Sequence, residues 1–180
     1  MLFAILIGIF GALQYLLRTW IVKLRFRLSG GKNSDLSRRK LPFVIFSDDK
    51  RYWNVFEPVC RELCARGMEI TYMTESEDDP ALSCGYEHLH GEFIGKGNKG
   101  IAKLNFLSAT MLLSTTPGLD VYQWKRSKDV DCYIHMLHAP NEIAGYRMFG
   151  TDYYDALLVS GAFQEEQVRE LEKLRNLPPK

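Results

Sequence analysis

The stretch that decides the fold is residues 43–74, FVIFSDDKRYWNVFEPVCRELCARGMEITYMT. It opens with a continuous apolar run of strand length, residues 43–47, and closes with a second predicted strand, residues 69–74. Between them, apolar residues recur on one face of a predicted helix over residues 53–66. Gly67 follows this helix, where a left-handed residue is common. A strand, a helix and a strand in this order are typical of a parallel sheet covered by helices.

The pattern continues towards the C-terminus. Further strands are predicted at residues 109–114, 132–136 and 156–160, and an amphipathic helix is predicted at residues 164–174. The apolar stripe of that helix is Val168, Leu171 and Leu174. The predicted fold class is therefore α/β, with a Rossmann-like parallel sheet in a domain over residues 41–180. Pro178-Pro179 predicts the end of the helix and a linker to a second domain.

Length and charge limit the classes of function. A chain of 180 residues has room for one ordinary domain and an appendage. Its net charge of +1 argues against a nucleic-acid partner, which normally requires a pronounced basic excess. The basic residues are unevenly placed, because eight of them precede residue 41 and no acidic residue precedes Asp35. A local basic excess therefore lies beside the apolar N-terminal segment.

Residues 1–28 are predicted to anchor the protein to a membrane, and residues 29–40 to form a basic linker. The first 17 residues are almost wholly apolar, and positive charges follow them. Because a cleavable signal peptide carries its charge before the apolar run, cleavage is not expected. The helix either spans the membrane or lies in the interface, and both arrangements place the domain on the cytoplasmic side of the cell membrane. A buried core helix is the remaining alternative. The residues predicted to contact the membrane are Leu2, Phe3, Ile5, Leu6, Ile7, Ile9, Phe10, Leu13, Leu16, Leu17 and Trp20.

The four cysteines, at positions 60, 64, 84 and 132, are predicted to be reduced and mostly buried thiols. None of them forms a C-x-x-C pair, so neither a disulfide framework nor a structural zinc site is expected. His88 and His90 would share a face of a possible strand, but no third ligand is evident. We therefore predict no metal site.

Ligands of open parallel sheets bind beyond the carboxyl ends of the strands. This rule selects polar residues in the loops that follow four of the predicted strands. Those predicted to bind substrate or phosphate are Ser47, Asp48, Thr116, Gly118, Ser160 and Gly161. Gly161 opens a helix, and amides at a helix N-terminus are suited to a phosphate oxygen.

His138 is the predicted catalytic residue. It follows a predicted strand, and an imidazole titrates near neutral pH, which suits a general base acting on a hydroxyl. His135 lies three residues earlier, so on a strand it would point to the opposite face, and the two histidines form a poor metal pair. A structural role for His138 is the alternative.

Two other segments resemble sites only weakly. The run Gly95-Lys96-Gly97-Asn98-Lys99-Gly100 lacks the spacing and the trailing hydroxyl residue of a phosphate loop. It is predicted to be a mobile loop that carries lysines and contacts, at most, anionic lipid or a polymer phosphate. The acidic run at residues 75–79 is predicted to be a solvated loop.

Three segments in the second half carry a family resemblance. They are residues 115–127 (TTPGLDVYQWKRS), 133–138 (YIHMLH) and 146–155 (YRMFGTDYYD). In this order they resemble the CDP-glycerol glycerophosphotransferase family of teichoic-acid-type primases and polymerases. The resemblance extends over about residues 41–180 and is strongest from Thr115 onward.

The resemblance implies a GT-B-like fold of two Rossmann-like halves, of which this chain would be the N-terminal one. Such enzymes move a polyol phosphate from a CDP-linked donor to a hydroxyl of a membrane-linked acceptor polymer. The C-terminal half binds the donor, CDP-glycerol or a related CDP-polyol, and no other cofactor is evident. The family's histidine of the N-terminal half lies in a His-Gly-x-Pro-like segment, which here is His138-Ala139-Pro140. The implied partners are the membrane, the lipid-linked acceptor and a C-terminal half, in the same chain or separate.

Two alternative functions share these features. The chain would act as a non-catalytic membrane-bound interaction module, or as part of a GT-B glycosyltransferase that uses a sugar nucleotide. Whether the chain is an enzyme by itself is left open, because the donor-binding residues of the family would lie in the other half.

Overall fold

A computed structural model describes residues 40–146 and 149–180. Their strands are β1 (Leu41–Ser47), β2 (Ile70–Thr74), β3 (Leu89–Phe93), β4 (Ser108–Ser114), β5 (Asp129–Met136) and β6 (Ala156–Leu158). Their α-helices are α1 (Trp53–Ala65), α2 (Asn98–Asn105) and α3 (Ala162–Arg175). Short 3₁₀ turns lie at Lys50–Tyr52, Pro80–Leu82 and Ile143–Gly145.

The six strands form one parallel sheet in the order β3-β2-β1-β4-β5-β6. From β1 the chain moves outward to β3, returns to place β4 on the other side of β1, and moves outward again to β6. The strand order therefore reverses between β1 and β4, which is the arrangement that creates a crevice at the carboxyl edge of a Rossmann sheet. The prediction of a Rossmann-like parallel sheet is confirmed.

Apolar clusters lie on both faces of the sheet. On one face, Phe56 and Cys60 of α1 pack against Ile45 and Tyr72. On the other, Leu104 of α2 joins a cluster that includes Val44, Phe46, Leu112 and Tyr133. Alternation along β1 supplies both clusters, because Ile45 faces α1 whereas Val44 and Phe46 face the opposite side. The central strand is consequently apolar in nearly every residue, as buried parallel strands are.

Several local predictions need correction. Leu174 does not belong to the apolar stripe of α3, because its side chain is 81% exposed, whereas Val168 is buried. The run at residues 95–100 is not a loop throughout, since α2 begins at Asn98 and Gly100 is buried within it. The acidic run is not wholly solvated either, because Asp79 is buried and accepts hydrogen bonds from the Thr74 hydroxyl (2.7 Å) and the Ala81 amide (3.0 Å).

The four cysteines are free. Cys60 is buried and the other three are half-buried, and burial raises the pKa of the Cys60 thiol to about 12. The residues predicted to anchor the membrane, Leu2 to Trp20, lie outside the described part of the chain. Within residues 40–146 and 149–180, no helix combines the length and apolarity that crossing a membrane requires.

Candidate functional site

The predicted site residues follow β1, β4, β5 and β6, and the parallel arrangement brings the ends of these strands to one edge of the sheet. One connection between two of these loops involves His138. Its side chain is exposed beyond β5, and its ring lies edge-on against Tyr52, with 4.9 Å between the ring centroids. Tyr52 belongs to the turn after β1, which Asp49 caps by accepting from the Arg51 amide. The β1 loop therefore supports the predicted catalytic imidazole.

His135 lies at the end of β5, paired in register with Ser114 of β4. It is fully buried between Tyr146 and Tyr154, with ring centroids 5.6 Å and 4.9 Å away. Burial lowers the pKa of His135 to about 4, and the nearby His138 adds to this shift. Neither ring nitrogen has a hydrogen-bond partner among the described residues. His135 is thus a neutral, buried imidazole at physiological pH, a role that the spacing of the two histidines did not indicate.

Tyr154 connects the ends of β1, β4 and β5. It is almost fully buried, and its hydroxyl donates to the backbone carbonyl of Thr116. Burial raises the pKa of Tyr154 well above its ordinary value, and the charge of Asp48 contributes to that rise. Trp124 packs edge-on against the other side of the ring, with 6.3 Å between centroids.

The two residues predicted at the end of β1 differ in how far they are buried. Ser47 is buried, and its hydroxyl donates to the Asp49 carbonyl at 2.8 Å, so it holds the loop. Asp48 is exposed, and its charge also raises the pKa of Glu75. Of this pair, Asp48 is the one that is exposed at the edge of the sheet.

The two residues predicted after β4 differ in the same way. The Thr116 amide donates to the Ser114 hydroxyl at 3.0 Å, but the Thr116 hydroxyl has no partner in the described part of the chain. Gly118 adopts a left-handed backbone (φ +93°), and its amide donates to the Gly150 carbonyl at 2.7 Å. The Thr116 hydroxyl is therefore buried without a partner among the described residues, whereas the Gly118 amide is engaged in the fold.

Ser160 and Gly161 lead into α3. The amide and the hydroxyl of Ser160 both donate to the side-chain carbonyl of Gln164, at 2.9 Å and 2.8 Å. The Gln164 side chain is buried, and its NH₂ group donates to the carbonyls of Ala139 and Asn141 in the β5 loop. Gln164 thus joins the loop that carries His138 to the start of α3. Sequence reasoning missed it, because a glutamine in the first turn of an amphipathic helix carries no distinctive signal.

The side chain of Glu75 lies against the glycine-rich segment before α2. Glu75 accepts a hydrogen bond from the Gly97 amide at 3.2 Å, at the N-terminus of α2. Burial raises the pKa of the Glu75 carboxyl; the Gly97 amide opposes this shift and the Asp48 charge adds to it. A carboxylate of the protein itself therefore takes the place that a phosphate would occupy at this helix terminus.

The three segments that carry the family resemblance contact one another. Arg126 donates to the Tyr153 carbonyl and to the Asp155 carboxylate, and its guanidinium lies 4.7 Å from the centroid of the Tyr133 ring. The amide of Tyr133 in turn donates to Asp155 at 2.7 Å. These residues hold the loop before β6 against β5, so much of the resembling pattern is structural.

The pair of histidines at the surface lies apart from this edge. His88 and His90 each contact one carboxylate oxygen of Glu69, at 2.7 Å and 2.8 Å, on the exposed surface around β3. Among the described residues, no group of three or more histidine, cysteine or acidic side chains has an arrangement that would hold a metal ion.

Comparison of the chain with family models, with curated protein sequences and with solved structures gave no match. The residues at the carboxyl edge and the resemblance of the sequence segments are therefore the features that point to a function.

Proposed function

We propose that this chain supplies the acceptor-side domain of a CDP-polyol phosphotransferase, which acts on a membrane-linked polymer at the cytoplasmic face of the cell membrane. The observation that carries the proposal is the position of His138, an exposed imidazole at the carboxyl end of β5, supported by Tyr52 from the loop after β1. The loop after β1 lies at the point where the strand order reverses, which is where open α/β sheets bind their ligands, and the loop after β5 meets it through the contact of His138 with Tyr52.

His138 acts as the general base in this proposal. As the acceptor hydroxyl oxygen attacks the β-phosphorus of the CDP-polyol, its proton passes to the imidazole. A new phosphorus–oxygen bond forms to the acceptor, and the bond from that phosphorus to the bridging oxygen breaks, so that CMP leaves with the oxygen. The donor is held mainly by the C-terminal GT-B half that the resemblance implies, and this chain binds and orients the acceptor.

The N-terminal segment gives the domain its place in this scheme. An anchor at residues 1–28 would hold the domain beside an acceptor that grows from a lipid, and tethering raises the effective concentration of the acceptor without a new contact. The basic linker at residues 29–40 would face anionic headgroups on the cytoplasmic side.

The test is transfer of radiolabelled glycerol phosphate from CDP-glycerol to membranes that carry acceptor polymer. The full chain is assayed alone and together with the C-terminal half of a two-domain member of the resembled family. We expect transfer in the combined sample only, and a reduction of about 100-fold or more in His138→Ala, the usual contribution of a general base. His90→Ala is the matched control. His90 is also an exposed histidine, but it lies on β3 and contacts Glu69.

Two results would contradict the proposal. Transfer that is equal in His138→Ala and in the wild type would exclude the histidine as base. Absence of transfer in every combination, with binding of the chain to acceptor-bearing vesicles retained, would favour the interaction module instead.

A further inference from the structure

The β5 loop, residues 137–142, carries His138 and forms neither strand nor helix. Backbone amides and carbonyls of folded proteins are usually paired, and in such a loop no strand or helical turn of its own supplies the partners. The carbonyls of Ala139 and Asn141 instead accept from the side-chain NH₂ group of Gln164, at 2.8 Å and 3.0 Å. One side chain of α3 therefore holds the backbone directly after His138.

The hydrogen bonds of the Gln164 side chain fix its orientation. A glutamine side chain has two hydrogens to donate and an oxygen that accepts two bonds. In Gln164 both hydrogens go to the β5 loop, and the oxygen accepts from the amide and the hydroxyl of Ser160 at 2.9 Å and 2.8 Å. Because Gln164 is only 2% exposed, solvent competes little for these bonds. The loops after β5 and β6 are thus joined through one rigid side chain.

The two ends of the β5 loop are docked on α3 in another way. Leu137 and Ile143 are buried and belong to one apolar cluster with Val168. The Ile143 amide also donates to the side-chain carbonyl of Gln167 at 2.8 Å. Gln164 contacts the residues between these ends. A change at Gln164 should therefore move the middle of the loop and leave its ends in place.

His138 depends on the path of this loop because its own side chain is exposed. The imidazole packs edge-on against the Tyr52 ring, with 4.9 Å between the centroids. An aromatic contact of this kind contributes about 0.5–1.5 kcal/mol, so it holds the ring only where the backbone already presents it. Gln164 fixes that backbone one residue after His138.

We propose that Gln164 is the positioning residue for His138, and that the effect of Gln164 on phosphate transfer passes through this histidine. The catalytic consequence rests on the proposed function. The positioning is a property of the folded domain, and it can be measured without donor or acceptor. It matters for the rate because a displacement of about 1 Å at a catalytic group can lower a rate about 100-fold.

The first experiment follows the ring resonances of His138 by NMR, in the full chain in detergent micelles with isotope-labelled histidine. The spectrum of His138→Ala assigns these resonances, which are shifted by the adjacent ring of Tyr52. Gln164→Met keeps a buried side chain of similar length and removes all four hydrogen bonds. We expect the His138 resonances to move towards those of an unstructured histidine. Unchanged resonances of His88 and His90 verify that the variant is folded.

Gln164→Glu separates the two pairs of bonds. Its carboxylate still accepts from Ser160 but has no hydrogen to donate to the Ala139 and Asn141 carbonyls, so we expect the His138 resonances to move in the same direction. This variant also provides the test if Gln164→Met does not fold. Glu166→Met is the matched control, because Glu166 is exposed on the same helix, and it should leave the His138 resonances unchanged.

The second experiment is a double-mutant cycle in the transfer assay with CDP-glycerol and the supplied C-terminal half. Gln164→Met alone should lower kcat about 10- to 100-fold with little change in KM. Added to His138→Ala, it should lower the residual rate no further, because the group that it positions is already absent.

The outcomes are distinct. Unchanged His138 resonances in the folded Gln164 variants would overturn the proposal. A further loss of transfer when Gln164→Met is added to His138→Ala would also overturn it, since Gln164 would then act through another group. Absence of transfer in the wild type, together with the expected movement of the His138 resonances, would contradict the proposed function and support the positioning.

Discussion

At the scale of a single residue, His135 makes the stability of the folded protein depend on pH. Its pKa in the folded protein is about 4, against an ordinary value near 6.5, because burial disfavours the imidazolium. As the pH falls from about 6.5 to about 4, the unfolded chain binds a proton at this residue and the folded chain does not. Stability therefore decreases over that window, by about 3 kcal/mol from this residue.

The matching measurement is the free energy of unfolding by urea at pH 7 and at pH 4, for the full chain in detergent. Acidic residues titrate in the same range, so the comparison is between the wild type and His135→Phe. A phenylalanine keeps an aromatic ring between Tyr146 and Tyr154 and removes the titrating group. We expect the variant to lose about 3 kcal/mol less on acidification. An identical loss in both proteins would show that His135 is not held neutral.

At the scale of an element, α2 packs closely against its neighbours at Gly100, where there is room only for a residue without a side chain. A Cβ there would lie 2.6 Å from Oε1 of Glu75 and 2.7 Å from the Gly95 carbonyl oxygen. Alanine normally stabilises a helix by about 1 kcal/mol relative to glycine. Here the methyl group would displace the carboxylate that caps the helix and would press on backbone. We expect Gly100→Ala to destabilise the protein by about 1–3 kcal/mol.

Thermal unfolding followed by circular dichroism checks this prediction. Gly145→Ala is the control, because a Cβ at Gly145 meets nothing within 4 Å and the backbone there is not left-handed. For a chain of this size, 1 kcal/mol corresponds to about 2–4 °C. The expected result is a lower melting temperature for Gly100→Ala and little change for Gly145→Ala. A Gly100→Ala protein at least as stable as the wild type would contradict the proposed packing.

The elements also differ in how well sequence predicts them. Strand β1, helix α1 and strand β2 were predicted within about two residues at each boundary, because long apolar runs and helical periodicity mark them. Strand β3 was predicted only as a possible strand, since His90, Gly91 and Glu92 give it little apolar character. Helix α2 was missed because Gly100 within it and the glycines before it oppose helix formation, and the burial of Leu104 in the core offsets that tendency.

At the scale of the whole described domain, the sequence predicted which loops meet at one edge and not which of them are neighbours. Parallel strands share a carboxyl edge whatever their order, so Asp48, Thr116 and His138 were selected without knowledge of the sheet. The contact of Tyr52 with His138 depends on β4 returning beside β1, which is a long-range property of the chain. For the same reason, the hydrogen bond from the Tyr154 hydroxyl to the Thr116 carbonyl joins residues 38 positions apart and had no local signal.

The same sheet order predicts where the domain opens locally. Strand β1 is paired on both sides, whereas β6 has three residues, is paired only with β5 and has no buried residue. The β5 loop and α3 are joined by an apolar cluster of Leu137, Ile143 and Val168, and by hydrogen bonds from Gln164 to the Ala139 and Asn141 carbonyls. Gln164→Ala removes these bonds at one side of the sheet and leaves the centre intact. We expect local opening rather than global unfolding.

Hydrogen–deuterium exchange of the full chain separates the two cases. In Gln164→Ala, amides at residues 137–143 and 160–164 should exchange about 10-fold faster or more, since two hydrogen bonds of about 1 kcal/mol each are lost. Amides of β1 should exchange at the wild-type rate. Gln123→Ala is the control, because Gln123 is an exposed glutamine in the loop before β5. Equal acceleration in β1 and in the β5 loop would mean that Gln164 stabilises the whole domain. The loop that carries His138 would then open only when the domain unfolds globally.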